Sequence, residues 1–148
     1  MPVISITRLH LRSWRYAPQF AVYTLGSARQ ARRSDGFLGG ALGNDTERGA
    51  WTMTAWRDEA AMRAFRNRGI HFNAMPRLLK WCDEASFAHW TQNDATLPSP
   101  EQAHRRMKTE GRLSKVSYPS AAHAAGVTAS ASSPRVGLRL TPRATRSA

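Results

Sequence analysis

Residues 3–14, VISITRLHLRSW, carry apolar and β-branched side chains in partial alternation, the period of a β-strand. Val3, Ser5, Thr7, Leu9 and Leu11 fall on one face of it, and Ile4, Ile6, Arg8, His10 and Arg12 on the other. The period then lengthens. In residues 17–33, Phe20, Tyr23, Ala28 and Ala31 recur at helical spacing behind Pro18, and Arg29, Arg32 and Arg33 close the run where a helix dipole is negative. Residues 35–43, DGFLGGALG, begin with a turn dipeptide and read as a short strand. Gly39, Gly40 and Gly43 within it predict a bulge or a close backbone approach. After the turn NDTERG, the run AWTMTAW (50–56) is the clearest strand of the chain. Residues 58–69 predict a helix with Asp58 as N-cap and Gly69 as its stop. A second helical stretch spans 73–85, with Asn73 as N-cap because Pro76 suits only a first turn. SFAHW (86–90) alternates and reads as a further strand.

The order β-α-β-β-α-(α)-β predicts an α+β fold over residues 1–92: a ferredoxin-like antiparallel sheet of four strands with helices on one face. The alternation of residues 50–56 and 86–90 puts large apolar side chains on both faces of that sheet. A bare apolar face is unstable in water. Pairing it with the same face of a second copy gives a two-fold homodimer. The texture changes after residue 92. Residues 93–120 read as a linker, a short helix (PEQAHRRMKTEG) and an extended stretch (RLSKVSYPS), and 121–148 as a disordered basic tail with almost no large apolar residues.

Composition narrows the class. The chain has 148 residues, 41 % of them hydrophobic, with five tryptophans, enough for one packed domain. No apolar run approaches the roughly 20 residues of a membrane helix, and the N-terminus lacks the pattern of a signal peptide, so the expected location is cytoplasmic. The single cysteine, Cys82, excludes an internal disulfide and a multi-thiolate metal site. The net charge of +12 raises the question of a polyanion partner. Its distribution argues against one: residues 111–148 hold six basic residues and no acid, so half of the excess sits in the expected tail.

The run Trp51-Thr52-Met53-Thr54-Ala55-Trp56-Arg57-Asp58-Glu59-Ala60-Ala61-Met62-Arg63-Ala64-Phe65, followed by Gly69, His71, Ala74 and Met75, resembles the dimeric α+β-barrel superfamily. Within it, residues 3–90 are similar to antibiotic-biosynthesis-monooxygenase-type domains, in the branch near spheroidene monooxygenase. The resemblance implies a monooxygenase-like protein acting on an apolar small molecule, aromatic or polyene, in a cleft between sheet and helices. Quinone-forming relatives use neither metal nor flavin, because an electron-rich phenol reacts with oxygen itself. Haem-degrading relatives hold haem in the same cleft through a histidine near the end of the second helix, close to where His71 falls. Haem is therefore the one cofactor the resemblance leaves open. The Asn and the second Trp that the haem degraders place around the ring are not recognisable here, and Phe65 stands where a Trp would help.

His71 is the expected catalytic residue, as proton carrier or haem ligand, against a plain packing role where the helix breaks. Trp56, Met62 and Phe65 are the expected substrate walls, each with core packing as the alternative. Arg8 and His10, charged or polar among apolar neighbours on the first strand, are further substrate-binding candidates, or the rim of the sheet. His89, His104 and His123 form no H-x-x-x-H or carboxylate–His spacing, so no metal site is expected from the sequence. Cys82 is expected to be a buried, inert thiol. GFLGG lacks the spacing of a nucleotide-binding loop. A non-catalytic haem- or small-ligand-binding dimer is the alternative to the enzyme.

Overall fold

The computed structural model describes residues 1–143. Strand β1 (Val3–Leu11) leads through a 3₁₀ turn (Trp14–Tyr16) into helix α1 (Ala17–Arg33), then strands β2 (Phe37–Asn44) and β3 (Ala50–Trp56). Helices α2 (Glu59–Arg66) and α3 (Gly69–Trp81) follow, then strand β4 (Cys82–Thr91). Beyond these lie helix α4 (Pro100–Glu110), the short strand β5 (Arg112–Leu113), the single-turn helix α5 (Ala121–Ala124) and strand β6 (Arg135–Leu140). The sheet is antiparallel with the order β5-β4-β1-β3-β2-β6. The expected α+β architecture is present, with six strands in place of four.

The two added strands come from residues read as extension and tail. β6 pairs with β2, Leu138 opposite Leu42 and Leu140 opposite Gly40, so the expected disorder of 121–148 does not hold for residues 121–143; the last five lie outside the described residues. The glycines of β2 explain the docking. At Gly43 a side chain would collide with the backbone of Arg135, so the bare backbone is what lets β6 approach. Leu140 is buried beside Phe37 and Trp56, which supplies the apolar contact the composition of the tail concealed.

The sheet has two covered faces. Val3, Trp56 and Phe37 pack under Ala31 of α1 and Ala61 and Met62 of α2. Leu9 and Leu11 continue that layer toward Trp81, Tyr16, Phe20 and Tyr23. On the opposite face Ile6, Trp51 and Met53 are sealed by Ala103 and Met107 of α4. Trp51 and Trp56 thus point to opposite sides, as strand alternation requires. The face expected to need a second copy is occupied by α4 of the same chain. The expectation of helices on one face only fails for the same reason. α4 is a well-formed helix, with Ser99 and Gln102 closing a reciprocal capping box and Pro100 in its first turn.

Two boundaries also differ from the sequence reading. α3 begins at Gly69, before the expected Asn73 cap, with Pro76 inside it. The turn between α2 and α3 is capped from outside: the Gln30 amide on α1 donates to the carbonyls of Phe65 and Arg68 and accepts from the His71 N–H. β4 begins at Cys82, where a helix was expected, because β1 is long enough to pair Leu11 with Cys82. Cys82 itself is fully buried, and burial pushes its thiol up to about 12, consistent with an inert group. Among the described residues no helix is long and apolar enough to cross a membrane.

If α4 is the cover of the second face, truncating its buried Met107 leaves a hole over Trp51. Met107→Ala should then lower stability by about 2–5 kcal/mol, read by urea unfolding. A change near zero would mean that α4 does not rest on the sheet.

Candidate functional site

Four of the expected site residues meet on the α1–α3 side of the sheet. Trp56 ends β3 and stacks on Phe65 of α2, ring centroids 4.9 Å apart. Phe65 in turn lies 4.7 Å from the His71 ring, and Met62 is buried one turn earlier on α2. Asp58 starts that helix by accepting from the Ala61 N–H, which fixes the rotation that turns Met62 inward. His71 sits in the first turn of α3, half-buried, with Nδ1 3.3 Å from the Arg66 carbonyl. If Nδ1 carries the proton and donates to that carbonyl, Nε2 keeps its lone pair. Desolvation lowers the His71 pKa and outweighs the raising effect of the Arg66 carbonyl, so the ring is neutral near pH 7.

Arg8 and His10 do not join this group. They leave β1 on the other face, as alternation from Val3 dictates. Arg8 is 3 % exposed and forms a buried pair with Asp45, Nε to Oδ2 2.7 Å. Its Nη1 donates to Glu84 at 3.2 Å, and Nη2 lies 3.7 Å from Glu47 without a hydrogen bond. Asp45 also accepts from Trp51 Nε1 at 2.8 Å and from the Gly49 N–H at 2.8 Å. A side chain at position 49 would strike both Asp45 and Arg8, so glycine is required where the turn closes over the pair. Burial alone would lower the Arg8 pKa, but Asp45 and Glu84 outweigh it and hold it above its ordinary value. Burial would likewise raise Asp45, and the bonds from Arg8, Trp51 and Gly49 hold it below the usual carboxylate range. Arg8 is therefore buried and paired, not on an exposed rim of the sheet. His10 stands 2.6 Å from Asp83, Nδ1 to Oδ1.

The sequence reading passed over Asp45, Gln30, Asp83 and Glu84. Asp45 lay in NDTERG, read only as a turn, although an Asp two and four residues ahead of N–H donors it can accept from is a common turn lock. Nothing local marks Gln30, whose partners lie 35 to 41 residues away.

The two best-formed cavities among the described residues are not lined by Trp56, Met62, Phe65 or His71. One of about 330 Å³ lies between the sheet and the start of α4, walled by Ala41, Met53, Leu97 and Val136, with Gln102 and Arg139 as polar groups. The other, about 220 Å³, is lined by Phe87, Ala88, His89, Glu110 and Arg112. Haem would be held through Nε2 of His71, and neither of these two cavities is lined by His71, so neither provides a porphyrin slot at that nitrogen; Phe65, itself stacked on Trp56, covers one face of the ring.

No family model matches the sequence, and no curated protein matches it. Solved structures do match the fold. Rv0793 from Mycobacterium tuberculosis superposes with a TM-score of 0.58 at 14 % identity, covering 64 % of this chain and 97 % of that one. SnoaB, a cofactor-independent oxygenase from Streptomyces nogalater, gives 0.52 at 17 % identity over 66 % of this chain and 98 % of its own. A Nitrosomonas europaea protein provisionally named an antibiotic biosynthesis monooxygenase gives 0.52 at 10 % identity over 62 % and 99 %. The chain thus shares its fold with antibiotic-biosynthesis-monooxygenase-like proteins. About a third of it has no counterpart in them.

Two outcomes follow from this geometry. Adding haemin to the protein should give no Soret shift that depends on His71; a band lost in His71→Ala would show that the aromatic stack opens to admit haem. The depressed Asp45 pKa contributes stability that is complete above the unfolded carboxylate value of about 4 and is lost as pH falls through the folded value. Asp45→Asn should be less stable than wild type by about 3–5 kcal/mol at pH 7, with a shallower loss in acid, read by denaturant unfolding across pH.

Proposed function

We propose that the chain is a monooxygenase-like protein acting on an apolar small molecule, aromatic or polyene as in the branch near spheroidene monooxygenase. The observation that carries this reading is the neutral, half-buried His71 imidazole on the Phe65–Trp56 stack. With Nδ1–H held by the Arg66 carbonyl, Nε2 is the free base. A phenol whose ring stacks against Phe65 would give its proton to Nε2, and the resulting phenolate is electron-rich enough to react with oxygen directly. In a methylene-to-ketone oxidation one oxygen atom enters the substrate and the other leaves as water. Both methylene hydrogens leave in that water, and the four electrons that reduce O₂ come from the two C–H bonds broken, so no outside reductant is consumed. The protein's part is to bind, to hold the ring in place and to move one proton through Nε2. The relatedness of fold to SnoaB supports the reaction class. Because the stack is closed as it stands, the substrate must enter by parting Phe65 from His71.

A two-fold homodimer belongs to the same reading. α4 lies where a partner sheet would pack, so the pair forms either with α4 exchanged between copies or over another surface. Sedimentation equilibrium at micromolar concentration should give twice the monomer mass.

A second reading, a non-catalytic ligand-binding protein, is favoured by the cavity beside α4. Its lining sets Ala41, Met53, Leu97 and Val136 beside Ser99 and Gln102, and Arg139 is the one titratable group among the lining residues. Such a site suits a small apolar anion and offers no base.

Oxygen uptake with electron-rich polycyclic phenols separates the two. Under the enzyme reading the protein accelerates uptake, and His71→Ala lowers kcat by roughly 10²–10⁴-fold while circular dichroism is unchanged. Equal rates with and without protein, together with 8-anilinonaphthalene-1-sulfonate binding that Leu97→Trp abolishes and His71→Ala spares, would establish the binding reading instead.

A further inference from the structure

We infer that His10, Asp83 and Glu84 form a binding site for a first-row divalent transition-metal ion, on the face of the sheet opposite His71. The inference does not depend on the monooxygenase reading.

The strand itself builds the cluster. Along β1 and β4, His10 is opposite Glu84 and Leu11 is opposite Cys82, so Asp83 is an extra residue with no partner in the ladder. In a regular strand Asp83 and Glu84 would leave on opposite faces. The bulge breaks that alternation: Cys82 turns into the apolar layer with Leu11, while both carboxylates reach His10. Bulges of this kind commonly re-aim a side chain at a site. The backbone of the bulge is pinned, since the Ser120 N–H donates to the Asp83 carbonyl at 2.9 Å.

The donor geometry fits one ion. One nitrogen of His10 and one oxygen from each carboxylate lie within 4.8 Å of one another. His10 Nδ1 is 2.6 Å from Asp83 Oδ1 and 3.9 Å from Glu84 Oε2. Donors at about 2.0–2.2 Å from a common ion stand about 3–4 Å apart, so His10 and Asp83 need only separate slightly. Glu84 is oriented for this. Arg8, held by Asp45, takes its Oε1 at 3.2 Å and leaves Oε2 toward His10. Outer partners of that type fix ligating carboxylates in metal sites generally.

The charge is right as well. Asp45, Glu47 and Glu84 lie around Arg8, and Asp83 adjoins His10, which brings four of the ten acidic residues to one corner of a chain of net charge +12. The ligand side chains are about one-fifth exposed, open enough to admit an ion and to leave water on its remaining positions. One imidazole with two carboxylates and no thiolate selects Mn²⁺, Fe²⁺, Co²⁺ or Zn²⁺ over Mg²⁺ and Ca²⁺, which prefer oxygen throughout.

Calorimetric titration of the full chain with Zn²⁺ and with Mg²⁺ tests the site. One Zn²⁺ should bind per chain, with Mg²⁺ unable to displace it. His10→Ala and Asp83→Asn should each weaken Zn²⁺ about tenfold or more, and His89→Ala should leave it unchanged. Should either ligand variant fold poorly, the wild-type protein still decides. On adding Co²⁺, the NMR ring signals of His10 should shift or broaden before those of the other four histidines. Absence of Zn²⁺ binding, affinity indifferent to His10→Ala, or Co²⁺ effects that begin at another histidine would overturn the proposal and leave His10–Asp83 as a hydrogen bond only.

Discussion

The structure depends on one constraint: the central strands β1 and β3 bury large apolar side chains on both faces. Ile4, Ile6, Trp51 and Met53 on one side, and Val3 and Trp56 on the other, are all nearly inaccessible to water. A sheet of this kind needs two covering layers, since apolar surface left in water costs about 25 cal/mol per Å². α1, α2 and α3 supply the first layer. α4 supplies the second, and this is why residues after the ferredoxin-like unit are ordered. Beyond α4 the chain rounds the β4 edge, where Val116 packs on Trp81 and Cys82, and then returns beside α4 before β6. His104 and Ser130 join that path to the helix, and Ser86 fixes it to β4 through the Thr128 carbonyl.

Within this frame the buried charge is paired: Arg8 meets Asp45 and Glu84. Arg8 replaces an apolar residue midway along a buried face, at a position where an unpaired guanidinium would be too costly to keep. Asp45, Glu84 and the glycine-closed turn make it tolerable. That same ion-pair network sets the carboxylates beside His10. On the other face Gln30 performs a comparable task for the backbone, closing the last turn of α2 and the start of α3, whose N-cap Arg68 makes no side-chain cap bond. The two faces therefore carry different chemistry: an aromatic stack ending in a neutral imidazole on one, and a carboxylate-rich corner on the other.

Much was fixed by residue pattern. The period of residues 3–14 and 50–56 determined two strands and which side chains share a face, including the separation of Trp51 from Trp56. Asp58 determined where α2 starts, because a carboxylate before a helical run accepts from its free N–H groups. That Trp56, Met62 and Phe65 share one side followed from strand, cap and helix in succession, whereas His71 joins them through a turn held by the distant Gln30. All but the last are local relations, and local sequence contains them.

Tertiary structure decided the rest. Whether the second face meets another copy or α4 depends on contacts between residues about fifty positions apart, such as Met107 over Trp51 and Met53. The strand character of β6 is invisible in an Arg- and Ser-rich tail, because it depends on the bare backbone of Gly43, far away in the chain. Asp83 and Glu84 read as the end of a helix until pairing with β1 pulls them into a bulge. Arg8 and His10 looked alike as polar residues on one strand. Only the folded chain gives one a buried carboxylate and the other a half-open pair of them, because partners are assigned by proximity in space and not by spacing along the sequence.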